Sequence, residues 1–270
     1  MKAEKIALVG GGNMASAMLG GLLRAGMSTA QFIVVEPYEP QREKLAAQFG
    51  VQALAVGDAS LADASTVVWA VKPQLFTAAA EPLKAWLGQA LQLSVMAGIT
   101  TASIAAASGS ERVVRAMPNT PALIGQGIAG LFARPAVSAD ERATVERLLA
   151  PTGQTLWVDR EDDLDAVTAL SGSGPAYFFF VVEAMMAAAQ DMGLTGEQGR
   201  RLALATCAGT AALGLASSES PTVLRERVTS KGGTTYAAVT SMQADGVDAA
   251  LRRAVLAAQK RAAELGKEFG

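Results

Sequence analysis

Ile6-Ala7-Leu8-Val9-Gly10-Gly11-Gly12-Asn13-Met14-Ala15 is the stretch whose reading sets the fold. An apolar, partly β-branched run ends in three glycines and passes at once into Ser16-Ala17-Met18-Leu19-Gly20-Gly21-Leu22-Leu23, where apolar residues recur at helical spacing. The pattern predicts a strand, a tight turn and a helix. Gly10 lets the chain turn, Gly12 lets backbone N–H groups approach a pyrophosphate, and Ala15 lets helix and strand pack closely. The negative ligand would rest on the positive end of the helix. A glycine triplet alone also serves as an ordinary loop in any α/β protein. Its surroundings raise the dinucleotide reading: a second strand-like run, Phe32-Ile33-Val34-Val35, closes on Glu36. An acidic residue about 20 residues beyond the glycines is where a dinucleotide fold holds a ribose 2′-hydroxyl.

With 270 residues, half of them hydrophobic, the chain can bury a substantial core in one large domain or two smaller ones. Its 23 basic and 25 acidic residues leave a net charge of −2 with no long run of either sign. Nothing there points to nucleic acid or to a polybasic membrane patch, so small molecules and further copies of the chain are the expected partners. Cys207 is the only cysteine, which excludes an intrachain disulfide and multi-cysteine metal sites. There is no histidine, so a Ser/His/Asp triad, an imidazole general base and His-ligated metals are excluded by inventory, and no metal is expected. Residues 1–5 are charged and lead into an apolar run too short for a signal-peptide core. The apolar stretch 176–182 meets Glu183 and is too short to span a bilayer, so a soluble cytoplasmic protein is expected.

Along the chain, Pro37-Tyr38-Glu39-Pro40 reads as a turn, residues 41–49 as a helix stopped by Gly50, and residues 51–54 as a short third strand. Residues 66–71 form a continuous apolar run, as expected of a strand covered on both faces, and Lys72-Pro73 ends it. Ligands of open α/β sheets bind beyond the carboxyl ends of the strands, which places Ala70, Val71, Lys72 and Pro73 near the same cofactor as Gly10. From local sequence Lys72 reads equally as a solvated loop lysine. The pattern repeats with a strand at 91–96 leaving through Ala97-Gly98, an Ala-rich helix capped by Thr100 or Thr101, and a strand at 112–117 running into Pro118-Asn119-Thr120-Pro121. That proline-bracketed loop reads first as a rigid structural turn. Strands at 128–133 and 155–158 flank a helix at 139–149, and then the alternation stops.

From about residue 162 no further strand is expected. Ala-rich segments at 184–189, 200–215 and 248–265 favour helix and are separated by Gly193, Gly196, Pro221 and a glycine pair. The expected organisation is a doubly wound, mostly parallel α/β domain over 1–160 and an all-helical domain over 161–270. The Met and Phe residues of the second half read as packed core. So much apolar, small-residue helix also points to packing against another copy of the chain. Ser171-Gly172-Ser173-Gly174-Pro175-Ala176-Tyr177 places Pro175 at a helix start. In Val228-Thr229-Ser230-Lys231-Gly232-Gly233-Thr234-Thr235, glycines and hydroxyls meet exposed N–H groups at a helix N-terminus. That is an anion site, or equally a capped helix start with a hinge.

The stretch 228–239, with Met242-Gln243 after it, resembles the signature of pyrroline-5-carboxylate reductases, the enzymes of the last step of proline synthesis. The motifs Gly10–Ala15, Ala70–Pro73, Met117–Pro121 and Ser171–Tyr177 resemble that family's other motifs in its order, so the resemblance covers nearly the whole chain. It implies a Rossmann domain followed by a helical dimerisation domain, a homodimer, in some members a decamer, and an active site between the cofactor domain of one chain and the helical domain of its partner. It implies NADPH or NADH as cofactor. Gly10, Gly11, Gly12, Asn13, Met14 and Ala15, with Glu36, Ala70, Val71, Lys72, Pro73, Ala97 and Gly98, would bind it. Ser230, Gly232, Gly233, Thr234 and Thr235 would hold 1-pyrroline-5-carboxylate, and L-proline would be the product.

The chemistry suits a chain without imidazole, because a protonated ring C=N carbon accepts hydride with little acid–base help. Amides around residues 233–235 and the Ser230 hydroxyl would take the carboxylate, and the Thr235 hydroxyl would meet the ring nitrogen, making Ser230 and Thr235 the expected catalytic pair. Holding the imine roughly 3–3.5 Å from the reduced nicotinamide would supply most of the acceleration. Glu36 departs from the small hydroxylated or basic residues that NADPH-preferring relatives tend to carry. Its carboxylate repels a 2′-phosphate, although Arg42 stands close enough in sequence to offset it, so NADH is expected to be usable and the preference stays open. A β-hydroxyacid dehydrogenase would need a catalytic lysine on an interdomain helix, and none stands in a matching glycine-rich context. A ketol or imine reductase of other substrate range, and a nucleotide-sensing or scaffold protein without turnover, remain as alternatives.

Overall fold

Ile6–Val9 forms β1 with every side chain buried, alternate residues serving opposite faces of the sheet. The structure is a computed structural model and describes residues 4–269; the first three residues of the charged start 1–5 lie outside the described residues. β1 is followed by helix α1 (Asn13–Arg24), strand β2 (Phe32–Val35) and helix α2 (Glu39–Phe49). Then come β3 (Thr66–Trp69), the short helices α3 (Phe76–Ala80) and α4 (Lys84–Leu87), β4 (Leu91–Ser94), α5 (Thr101–Ser108) and β5 (Val113–Met117). β6 (Gly127–Ala133), α6 (Ala139–Leu149) and β7 (Gly153–Trp157) complete the alternating part.

The seven strands lie in the order β2-β1-β3-β4-β5-β6-β7. All neighbours run parallel except β5 and β6, paired antiparallel with Arg115 opposite Phe132. The chain leaves β1 toward β2 and returns to β3 on its other side, which makes the exits of β1 and β3 the switch point where such sheets take ligands. Ile6 and Leu8 pack on Met18, Leu19 and Leu22 of α1, while Ala7 and Val9 share the other face with Trp69, Leu83, Leu87 and Ile104. Buried Gln92 of β4 is fully used: its Oε1 accepts from Trp69 Nε1 at 2.9 Å and its Nε2 donates to Leu87 and Ala90 carbonyls at 3.0 Å each. Pairing of this kind removes the cost of a polar side chain inside the sheet.

Two local expectations are corrected. Residues 51–54 make no strand, only an isolated bridge of Leu54 to Val35, with the left-handed Gly50 just before the run and Gly57, packed against Leu83 and Leu61, just after it. Residues 37–40 are not simply a turn, since α2 begins at Glu39 with Pro40 in its first turn, where a missing N–H is harmless. Residues 161–172 cover the sheet as a short helix α7 (Asp163–Val167) and a π-turn (Thr168–Gly172). Val167 fills the space over Gly130, where a Cβ would lie 2.7 Å from its Cγ1, and Gly172 lies against Met117.

By packing, the chain divides into Met1–Gly172 with Ala258–Gly270, and Ser173–Ala257. The second unit holds α8 (Gly174–Asp191), α9 (Gly196–Ala216), α10 (Pro221–Arg227), α11 (Thr234–Ala244) and the first part of α12 (Val247–Phe269). α8 and α9 cross closely at Gly199, whose Cβ would sit 2.9 Å from that of Ala189. α9 is opened by a capping box in which Thr195 Oγ1 accepts from Gln198 N and Gln198 Oε1 accepts from Thr195 N. Contrary to a packed-core reading, Phe178, Phe179 and Phe180 are exposed, Phe180 by 73%. Among the described residues, Asp163–Asp191 is the one helical stretch long and apolar enough by length and composition to cross a membrane, longer than the 176–182 run considered from sequence. Ala189, Val182 and Gly174 within it are buried.

Candidate active site

The glycine turn is shaped by what presses on it. Gly10 has φ +97°, its N–H donates to Val35 O at 2.8 Å, and a Cβ there would lie 2.6 Å from Ala70 O and 2.9 Å from Val71 N. The exits of β1 and β3 therefore touch through a position that only glycine can fill. Gly11 is held at both ends of its residue: its N–H donates to Glu36 Oε2 at 2.8 Å, and its carbonyl accepts from Ser16 Oγ and Gln41 Nε2. Gly12 caps α1 without a side chain, and a Cβ there would meet nothing within 4 Å. The first-turn amides of α1 thus have no side-chain cap at the positive end of the helix dipole, while Ala15 is buried. These features fit a dinucleotide pyrophosphate.

The other residues expected at the cofactor lie along the same edge of the sheet. Lys72 is exposed and precedes the 3-10 turn Pro73–Leu75; Asn13 is exposed and Met14 half-buried. After β4, Ala97 is exposed and Gly98 is buried with φ +77°. Glu36 stands beside the glycine turn. Both its oxygens are engaged by backbone, Oε2 by Gly11 N and Oε1 by Tyr38 N at 2.9 Å. Arg42 lies beside Glu36, its Nη1 donating to the carbonyls of Glu36 at 3.1 Å and Pro37 at 2.6 Å rather than to the carboxylate.

In the helical unit, the residues expected at the substrate form one turn. Thr229 Oγ1 donates to Arg225 O at 2.6 Å as α10 ends, Gly232 takes φ +76°, and Gly233 N donates to Ser230 O at 3.0 Å. Gly233 is the N-cap of α11, and a Cβ on it would lie 2.8 Å from Ser230 Oγ. The hydroxyl of Ser230 therefore lies against the N-cap residue, and α11 has no side-chain cap hydrogen bond. Thr234 and Thr235 open the helix and are exposed, as are Ser230, Lys231 and Gly232. Uncapped amides with two flanking hydroxyls can bind a carboxylate.

Two further clusters escaped the sequence reading. Asn119 accepts from Ile128 N through Oδ1 at 3.0 Å and donates through Nδ2 to Ser171 Oγ at 3.1 Å, joining two of the quoted motifs. Arg115, buried in β5, pairs through Nη1 with Glu161 Oε1 at 3.2 Å, and Glu161 also accepts from Thr101 N at 2.7 Å and Thr101 Oγ1 at 2.6 Å at the start of α5. A charged residue inside an apolar strand was the available signal, since a buried charge requires a partner. Burial raises the nearby Asp165 carboxyl above its usual range, against the pull of Arg115 and with the help of Asp162 and Glu161. Among the described residues no three His, Cys, Asp or Glu side chains gather to hold a metal. A groove at the start of α9, lined by Leu194, Gln198, Arg201, Leu202, Ala205 and Thr206, contains none of the candidate cofactor or substrate residues.

Two family models match separate parts of the chain. Residues 161–265 match the family described as "Pyrroline-5-carboxylate reductase dimerisation", and residues 5–98 match "NADP oxidoreductase coenzyme F420-dependent". The chain is 44% identical over 272 residues to the pyrroline-5-carboxylate reductase of Pseudomonas aeruginosa, covering 100% of both. Among solved structures it resembles a pyrroline-5-carboxylate reductase from Coxiella burnetii, with a TM-score of 0.90 at 35% identity over 98% of this chain and 99% of that one. It also resembles Plasmodium falciparum pyrroline carboxylate reductase, solved with NADP bound, with a TM-score of 0.86 at 25% identity over 98% and 99% of the two chains. The dimerisation match spans the helices that carry the exposed Phe178, Phe179 and Phe180 of α8. A Rossmann unit with an open glycine turn and a helical unit with a hydroxyl-flanked helix start, matched end to end by these relatives, make this chain a member of the pyrroline-5-carboxylate reductase family.

Proposed function

We propose that this protein reduces 1-pyrroline-5-carboxylate to L-proline with NADH or NADPH, the last step of proline biosynthesis. The observation that carries the substrate assignment is the start of α11, where Ser230 Oγ lies against the N-cap Gly233 and the first amides carry no side-chain cap. Those amides and the Ser230 hydroxyl bind the substrate carboxylate, and the Thr235 hydroxyl orients the ring nitrogen; Gly232, Gly233 and Thr234 give the turn its shape. Gly10 to Ala15, Ala70 to Pro73, Ala97 and Gly98 hold the dinucleotide, which when bound supplies the hydride for the imine carbon. The chain needs no imidazole, because the ring nitrogen enters the reaction already protonated and these residues only bind and orient.

In this reading the first 160 residues serve the cofactor and residues 161–270 serve substrate binding and dimerisation. The pairing unit is a homodimer, with association of dimers up to a decamer, working in the cytoplasm without nucleic-acid or membrane partners. The near-neutral charge and the apolar helical face support this. Ser230→Ala and Thr235→Ala, each assayed with saturating cofactor, test the site. Losses of tenfold or more in kcat/KM are expected. If both variants stay within about threefold of the parent, less than ~0.7 kcal/mol of transition-state stabilisation has gone and the roles are wrong.

A further inference from the structure

Glu36 stands at the exit of β2 beside the glycine turn, in a chain whose relative from Plasmodium falciparum was solved with NADP bound. Its carboxylate is held at both oxygens, Oε2 by Gly11 N at 2.8 Å and Oε1 by Tyr38 N at 2.9 Å. Its own backbone is fixed as well, because Glu36 N donates to Leu54 O at 2.9 Å. A Cβ on Gly11 would lie 3.3 Å from Glu36 Oε2 and 2.6 Å from Leu45 Cδ1, so the carboxylate is seated against the turn itself. Swinging it aside would leave two amides without their charged acceptor.

From this geometry we propose that Glu36 is the residue that selects the cofactor, and that it makes this protein prefer NADH to NADPH. The inference rests on reading the first βα turn as a dinucleotide site. Each carboxylate oxygen accepts one backbone N–H and retains acceptor capacity, which suits the donating 2′- and 3′-hydroxyls of an adenosine ribose. A 2′-phosphate donates nothing to a carboxylate and brings a charge of roughly −1.5 to −2 at pH 7 beside it. The neighbouring Arg42 directs its Nη1 hydrogen bonds to the carbonyls of Glu36 and Pro37 rather than to the carboxylate.

The test is equilibrium binding without imine substrate. NADH and NADPH are titrated by nucleotide fluorescence, and 5′-AMP and adenosine 2′,5′-bisphosphate, which differ only in the 2′-phosphate, are titrated by calorimetry. The parent protein is expected to bind NADH at least tenfold more tightly than NADPH, and 5′-AMP more tightly than the bisphosphate. Glu36→Gln keeps the shape and removes the charge, and is expected to bring NADH and NADPH within about threefold, mainly by tightening NADPH. Arg42→Ala is expected to leave the NADH to NADPH ratio within about twofold. The parent measurement needs no variant, so a poorly folded Glu36→Gln leaves the question decided. Equal or tighter NADPH binding by the parent overturns the proposal, and so does a Glu36→Gln variant that weakens both nucleotides equally. Failure of all four nucleotides to bind overturns it together with the dinucleotide site. Tight NADH binding without imine turnover upholds the cofactor assignment while removing the proposed substrate.

Discussion

Asn119 and Ser171 are joined side chain to side chain, Nδ2 to Oγ at 3.1 Å, although 52 positions separate them in sequence. Through that bond the loop leaving β5 is tied to the π-turn that precedes the helical unit, and Oδ1 of the same Asn119 fixes the start of β6 at Ile128 N. Asn119→Ala removes both bonds and Ser171→Ala only one. Urea unfolding is expected to show a loss of about 1–3 kcal/mol for the first and about 1 kcal/mol for the second. Equal losses would mean that the Ile128 contact contributes nothing.

Gly10 and Gly12 separate folding from binding. At Gly10 a methyl group meets Ala70 O at 2.6 Å on a backbone with φ +97°, so Gly10→Ala should cost upward of about 1–2 kcal/mol in stability. At Gly12, φ is −67° and a Cβ meets nothing within 4 Å. Gly12→Ala is therefore expected to unfold within about 0.5 kcal/mol of the parent while binding NADH at least tenfold more weakly. Unimpaired binding by Gly12→Ala would show that the dinucleotide does not use this turn.

Burial raises the Asp165 carboxyl, Arg115 opposes the rise, and Asp162 and Glu161 add to it. The folded protein thus keeps a proton that the unfolded chain releases near 3.8. Stability falls as pH rises from that value through the raised one, and the deficit persists above it. Asp165→Asn has no such proton to lose. Its stability relative to the parent is expected to rise from about pH 3 to neutrality, read as a growing difference in urea midpoints. A difference that does not change with pH would mean that the carboxyl is solvated.

Phe180 projects from α8 with 73% of its surface exposed in the single chain. If it lies in the self-association surface, Phe180→Asp loses the ~1.5–3 kcal/mol expected for burying one large apolar side chain and adds an unpaired charge. Sedimentation at micromolar concentration should show the parent associated and the variant shifted toward monomer. An unshifted variant would place the interface elsewhere on the helical unit.

The sequence showed the alternating half well, because its strands are continuous apolar runs and its turns are marked by glycine or proline. Helix 139–149 matches α6, with Ser138 and Glu141 forming its capping box. The direction of β6 was not legible, since it depends on Gly125 with φ +72° turning the chain back after residues 120–124, and period-two patterning carries no direction. Residues 161–172 looked like the start of the helical half, yet Leu164 and Ala169 are buried and Glu161 is paired with Arg115, contacts made across long sequence separations. The candidate substrate turn was legible as a motif. Its physical basis, the Ser230 hydroxyl against Gly233, required coordinates, as did the two amides that hold Glu36.

The most direct measurement is a steady-state assay of the purified protein with 1-pyrroline-5-carboxylate, following the loss of reduced nicotinamide absorbance and quantifying L-proline in the same samples. The expected result is saturable oxidation with one proline formed per cofactor oxidised, unaffected by a metal chelator. No oxidation with either NADH or NADPH, or oxidation without proline, would contradict the function assigned to this chain.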